Sequence, residues 1–366
     1  MILGIVVHAS MPYWSELASI SFFWPPDERQ STPLWLIFTF IHTWRMPLFF
    51  LLSGFFASLL LNHYSLGKFI LNRIHRILIP LVIFGFITAL VLPPIWSFGN
   101  EGSFTFMGIK GFPSTATGHY EFLGHLWFLY YLLIYYPLII LASVVIHKIR
   151  LRIPNYIRPI GITTLYAVLP IGLIICVASV NILILFFGQG SSKTVWPLNV
   201  PDLIYHGIFF MFGFGLYYKP QLLATLQTAW VFTLFLMLAT FSSLVQIASI
   251  MGIGDAKSPE EAKLLGLVIV VSTSCASVLF CLGLIGFFQR ILQRYVKRIR
   301  WLSDSSYWIY IMHLPVVAIT TFYLFRYDLH PEIKFLISCL VTLAIGLITY
   351  RYLIRYSPIG WLLNGR

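Results

Sequence analysis

LWLIFTFIHTWRMPLFFLLSGFFASLLL, residues 34–61, sets the architecture of this chain. The stretch is long enough to cross a bilayer, which takes about 20 apolar residues. It nevertheless carries His42 and Arg45 three positions apart, then Pro47 and Ser53-Gly54. An arginine in mid-membrane costs at least about 2.5–3.5 kcal/mol, so something must hold it there. Spacing of three puts His42 and Arg45 on one helical face. Pro47 has no N–H for the carbonyl of Thr43, which predicts a bend at that point. A bent, charged, spanning helix is expensive, and its retention points to a site.

The remaining sequence has the same character. Of 366 residues, 59% are hydrophobic and only 10% are charged, with a mean hydropathy of +0.86. Soluble domains are about 45–50% apolar and about 25% charged, so the fold class is an all-α polytopic membrane helix bundle. Apolar runs recur along the whole chain, so residues 1–366 read as a single membrane domain. They predict about ten transmembrane helices, near 1–22, 34–61, 79–98, 122–146, 161–187, 203–218, 226–250, 264–288, 304–325 and 335–354. No cleavable signal peptide stands out. Met1 to Met11 is too short to cross. This predicts either a re-entrant segment or residues that belong upstream, and the second is favoured.

Charge sets the expected orientation. One set of loops holds sixteen Lys and Arg residues and the opposite set seven, while eleven of the twelve acids fall with the seven. The positive-inside rule then places both termini in the cytoplasm. The net charge of +12 is thus topological. Membrane lipids are its partners, and no nucleic-acid partner is implied. Cys176, Cys275, Cys281 and Cys339 lie inside apolar runs without a CxxC pair, so they read as small core residues.

Five histidines lie within the predicted spans: His8, His42, His125, His206 and His313. One polar residue in a bundle usually makes a helix-to-helix hydrogen bond; five are harder to explain that way. At 1.5 Å per residue, His8 falls about 9 Å and His42 about 12 Å below the outer surface. His125 and His206 stand near the outer ends of their helices, and His313 nearer the middle. Imidazole is the side chain best poised for proton transfer near neutral pH. Zinc is disfavoured because the sequence has no HxxxH or HxH pair and no close carboxylate. Glu16 lies two turns beyond His8, about 80° off its face, and either orients it or sits among headgroups. Trp127 draws attention because it lies two residues from His125. On the inner side, Arg73 and Arg76 share a face. They suit phosphate, or serve as a positive-inside anchor at a helix start.

HTWRMPLFFLLSGFF (42–56) resembles the second-helix signature of membrane acyltransferase family 3. GHLWFLYYLL (124–133) and SDSSYWIYIMHLPV (303–316) look like two further segments of that family, and NRIHR (72–76) like its paired-arginine motif. MILGIVVH (1–8) looks like the end of its first-helix motif, in which an arginine precedes the histidine by eleven positions; here that arginine would lie upstream of Met1. The glucan-biosynthesis branch is the most similar.

The resemblance implies an enzyme of the cell (inner) membrane. It would move an acetyl or succinyl group from cytoplasmic acyl-CoA to hydroxyls of an extracytoplasmic, glucan-like glycan. Acyl-CoA is then a donor substrate, and neither a tightly bound cofactor nor a metal is expected. By resemblance His8 is the catalytic histidine, and Arg73 and Arg76 match the arginines of donor use; Arg45 or His42 would then stabilise the developing oxyanion or hold His8 in position. Glu16, His125, Trp127 and His313 are expected to bind substrate. An acyl-enzyme on Ser53 is the less favoured route, because serine beside Gly54 reads as a packing or kink feature. A transporter or flippase for a polar lipid or glycan explains the intramembrane His and Arg equally well, but not the arginine pair together with these segments. A non-catalytic envelope scaffold is the third reading.

Overall fold

The computed structural model describes residues 2–14, 24–105, 123–150, 162–187, 200–292 and 297–364. Among them the chain is helical, with no strand. The elements are α1 (Ile2–Ser10), α2 (Thr32–His63), α3 (Leu66–Glu101), α4 (Trp127–Arg150), α5 (Ile162–Phe187) and α6 (Val200–Leu216). They continue as α7 (Pro220–Leu226), α8 (Ala229–Ile253), α9 (Pro259–Ile291), α10 (Lys297–Leu324), α11 (Pro331–Thr349) and α12 (Pro358–Asn364).

Seven of the described helices are long and apolar enough to cross a membrane, or eight if α6 and α7, bent by 105°, form one span. That is fewer than the ten expected. The first and fifth predicted spans are represented by the shorter apolar helices Ile2–Tyr13 and Leu169–Leu185. Helical backbone closes its own hydrogen bonds, which hydrocarbon demands. Hydroxyl groups do the same: Thr39, Ser179, Thr240, Ser274 and Thr320 each donate to the carbonyl four residues back. Phe86, Trp230, Met237 and Phe241 point large apolar surface outward, as a lipid-facing bundle requires.

The described residues group into two compact units. The first comprises residues 1–42, 67–130 and 295–366; the second comprises 43–66 and 131–294. Helices α2 and α4 contribute residues to both. The first unit is built on α1, α3, α10 and α11, around Ile5, Leu92, Trp96, Ile309, Leu314 and Phe322. The second contains the antiparallel pair α8 and α9. Helix α9 starts on an N-cap, in which the Glu261 N–H donates to Ser258 Oγ while the Glu261 carboxylate accepts from the Lys257 N–H.

Two local features bear on the proline and arginines singled out in the sequence. The helix of α2 runs unbroken through Pro47 from Thr32 to His63, as membrane helices allow where neighbours satisfy the freed backbone. The third helix begins at Leu66, not near Ile79, so Arg73 and Arg76 lie within it rather than in a loop. A π-turn at Ile74–Leu78 follows Arg73 directly.

Residues 24–31 form a strap without regular secondary structure, apart from bends. It is tied to the end of α1, where the Asp27 N–H donates to the Pro12 carbonyl (2.9 Å) and the Ser31 N–H to that of Tyr13 (2.7 Å). It is tied to the start of α11 as well. Lys334 Nζ donates to Asp27 Oδ2 at 2.7 Å with both side chains almost fully buried, and Ser31 Oγ donates to Glu332. Removing one partner of a buried ion pair strands the other charge, at about 3–5 kcal/mol. Lys334→Met is therefore expected to lower stability by about that amount, measurable as a drop in the thermal unfolding midpoint in detergent. The exposed Arg29–Asp328 contact contributes far less.

Candidate active site

Three of the predicted histidines meet in the first unit. The His8 ring lies 5.2 Å from that of His313, and His313 lies 4.8 Å from His125. They come from α1, α10 and the turn that leads into α4. That turn depends on Gly124, which takes φ +48°, a left-handed conformation that glycine adopts without steric cost. The short 3₁₀ segment Gly124–Leu126 then swings His125 towards α10.

Backbone carbonyls fix two of the rings. His125 Nε2–H donates to the Ile311 carbonyl (3.0 Å), and Tyr310 Oη–H donates to the His125 carbonyl (2.8 Å). His313 Nδ1–H donates to the Tyr310 carbonyl (2.7 Å). Each bond selects a tautomer, so the basic nitrogen is Nδ1 in neutral His125 and Nε2 in neutral His313. His125 and His313 are buried, whereas His8 is half-buried.

A ladder along α10 connects this cluster with the arginine-bearing turn. Tyr307 Oη–H donates to the Arg76 carbonyl. The Tyr307 ring stacks on Tyr310 at 6.3 Å, and Tyr310 packs edge-on to His125 at 5.3 Å and against His313 at 6.2 Å. Residues 307, 310 and 313 recur at spacing three, so they share a face, and six residues of helix span about 9 Å. Arg76 itself donates through Nε and Nη2 to the Leu363 carbonyl of α12 (3.3 and 3.0 Å). Arg73 turns elsewhere. Its guanidinium lies over the Phe69 ring at 5.5 Å and donates to the Asn72 side chain.

The other predicted residues have neighbours of their own. His42 stacks on Phe38 (4.8 Å), which packs on Trp14 (4.1 Å). The depth argument sets His8 and His42 at similar height; the structure shows the His8 ring against those of His313 and Trp24. Arg45 is buried in the second unit. His206 also belongs there, against Phe50 (4.6 Å), with Nδ1–H donating to the Asp202 carbonyl (2.8 Å). Trp127 opens α4 half-buried, and Glu16 lies outside the described residues.

Sequence reasoning missed Trp24 and Tyr310. Trp24 stacks on His8 at 5.8 Å with an interplanar angle of 15°. Tyr310 was legible three positions before His313, on the same face. Trp24 was not, because it reaches His8 from a strap with no periodicity. Among the described residues no group of three or more His, Cys, Asp or Glu side chains is arranged to hold a metal ion.

The acyltransferase-domain family of the acyltransferase 3 type matches residues 1–351. With its run of apolar helices, this chain is an integral, multi-pass membrane protein, and it belongs to that family. It is similar over its whole length to Glucans biosynthesis protein C of Escherichia coli K12, at 24% identity and covering 92% of that protein. The protein of the same name from Escherichia coli O9:H4 (strain HS) is 23% identical over the same span. No solved structure matches the chain.

Proposed function

We propose that the protein transfers an acetyl or succinyl group from cytoplasmic acyl-CoA to hydroxyls of a glucan-like glycan on the opposite side of the inner membrane. The ladder from the Arg76 turn through Tyr307 and Tyr310 to His313 and His8 carries this reading. It connects a phosphate-type group with a proton-transfer group inside one unit of a family acyltransferase. The glucan follows from the names of the relatives, and the acyl-CoA donor from the family resemblance.

In this reading Arg73 and Arg76 receive the donor phosphates. His8 takes the proton of the acceptor hydroxyl, and the oxygen attacks the thioester carbonyl. The tetrahedral intermediate collapses with cleavage of the C–S bond. The coenzyme A thiolate leaves and recovers the proton from His8. His42 is the donor in the same unit assigned to the developing oxyanion. His125 and His313 flank the acceptor side of His8, with Trp127 beside them.

The test uses purified protein in sealed vesicles, with labelled acetyl-CoA or succinyl-CoA on one side and a glucan oligosaccharide on the other. Labelled glucan ester is expected. Unmodified glucan crossing the membrane would establish transport instead, and the absence of both would overturn the enzyme reading. Arg76→Lys keeps the charge but loses the two-nitrogen fork. It is expected to raise the KM for the acyl-CoA donor about tenfold, equivalent to about 1.4 kcal/mol, while the KM for glucan holds. An equal rise in both would remove Arg76 from donor binding.

A further inference from the structure

We infer that Trp24 is a positioning residue for His8, and that the buried Asp27–Lys334 pair holds Trp24 in place. The inference rests on the reading of His8 as the general base. The Trp24 indole lies nearly parallel to the His8 imidazole, at 15° and 5.8 Å, and His313 meets the same ring at 5.2 Å. The imidazole is therefore held between two ring contacts, which select one side-chain rotamer from those a helical histidine can adopt. The indole is backed by Trp96 (4.9 Å) and Phe322 (5.8 Å) and is only 5% exposed.

Among the described residues no hydrogen bond anchors that indole, whose Nε1–H is buried. Among the described residues its place is set by stacking and by the strap. The strap cannot hold itself, since residues 24–31 include no helix before α2 begins. Asp27 sits three residues beyond Trp24. Its backbone N–H is fixed to Pro12 of the α1 end, and its carboxylate to Lys334 of α11. A buried, hydrogen-bonded ion pair is directional where apolar packing is not, and here it fixes the register of the strap against both helices. A base displaced by about 1 Å from its attack geometry loses on the order of 10²-fold in rate, so the strap acts on turnover through His8.

The experiment reads His8 directly. Full-length protein in detergent is treated with diethyl pyrocarbonate, and carbethoxylation of the His8 peptide is followed by mass spectrometry. In parallel, kcat and donor KM are measured with acetyl-CoA or succinyl-CoA and a glucan oligosaccharide. Trp24→Leu and Lys334→Met are expected to speed His8 modification at least about fivefold and lower kcat at least about tenfold, with donor KM within about twofold. Trp24→Phe retains an aromatic face and is expected to restore most of the protection. Unchanged His8 reactivity in Trp24→Leu overturns the inference, as does Trp24→Phe reacting as fast as Trp24→Leu, or a reactive His8 with unchanged kcat. Should Lys334→Met fail to fold, the Trp24 variants decide, since they leave the ion pair intact. Protection needs no turnover, so loss of the general-base reading through an active His8→Ala leaves the strap's hold on His8 separately measurable.

Discussion

His8→Ala is expected to lower acyl transfer by about 10²–10⁴-fold, the range that a positioned general base supplies. The protein should still insert and fold. His8 is half-buried on a short helix, and alanine is a better helix former. The measurement is the rate of labelled glucan ester formation, set beside the thermal midpoint of the same preparation. Loss of rate with an unchanged midpoint places His8 in the chemistry. Retained transfer removes it, and His313, whose Nδ1–H is fixed and whose Nε2 is the basic nitrogen of the neutral ring, becomes the next base to test. The pattern across variants matters too. His313→Ala would lose a buried ring that touches both His8 and His125, so it is expected to lower stability as well as rate. His8→Ala separates the two effects better.

The membrane bundle was legible because hydrocarbon leaves the chain so few options. Long apolar runs must be helices, and runs at this density must form a bundle. The inventory of intramembrane histidines was legible for a related reason: a polar side chain there is costly enough to stand out. Their grouping was less legible. Counting residues from helix ends gives depth but no azimuth, so it set His8 and His42 at similar height without saying which rings touch. Contact is decided by which helix faces which, and α10 brings His313 to His8. The arginine pair shows a similar limit. Spacing of three puts two side chains on one face of an α-helix, but the π-turn that opens at Ile74 changes the rotation per residue. Arg76 faces the Leu363 carbonyl, and Arg73 folds back on Phe69. Trp24 could not be found at all, because a strap without periodicity gives no face, and its clasp joins residues 307 positions apart in sequence.

Gly54→Val is expected to prevent assembly of the second unit, and Gly213→Val to do the same from the opposite side. Ser53-Gly54 reads in sequence as a packing or kink feature, and the structure identifies packing. A Cβ built on Gly54 would lie 1.9 Å from the Phe210 carbonyl oxygen, and one on Gly213 would lie 1.9 Å from that of Leu51. The obstacle in both cases is backbone, which has no rotamer through which to escape. Neither glycine has a positive φ, so the requirement is for space and not for backbone freedom. Helices α2 and α6 thus cross at van der Waals contact, with each glycine facing a turn of the other helix. Lipid offers no hydrophobic drive for helices to associate, so such close approach is a main source of their attraction. A branched side chain forces the backbones apart and removes that attraction. The cost is expected to exceed about 4 kcal/mol, the range reserved for severe core lesions. Gly54→Ala, with a single carbon in the same gap, is expected to be damaging too. Gly215→Ala, whose added Cβ meets nothing within 4 Å, is the internal control on the same helix and should be tolerated. Size-exclusion profiles and thermal midpoints of the four variants in detergent check the ordering. If Gly54→Val matches Gly215→Ala in yield and midpoint, the close crossing of α2 and α6 is wrong.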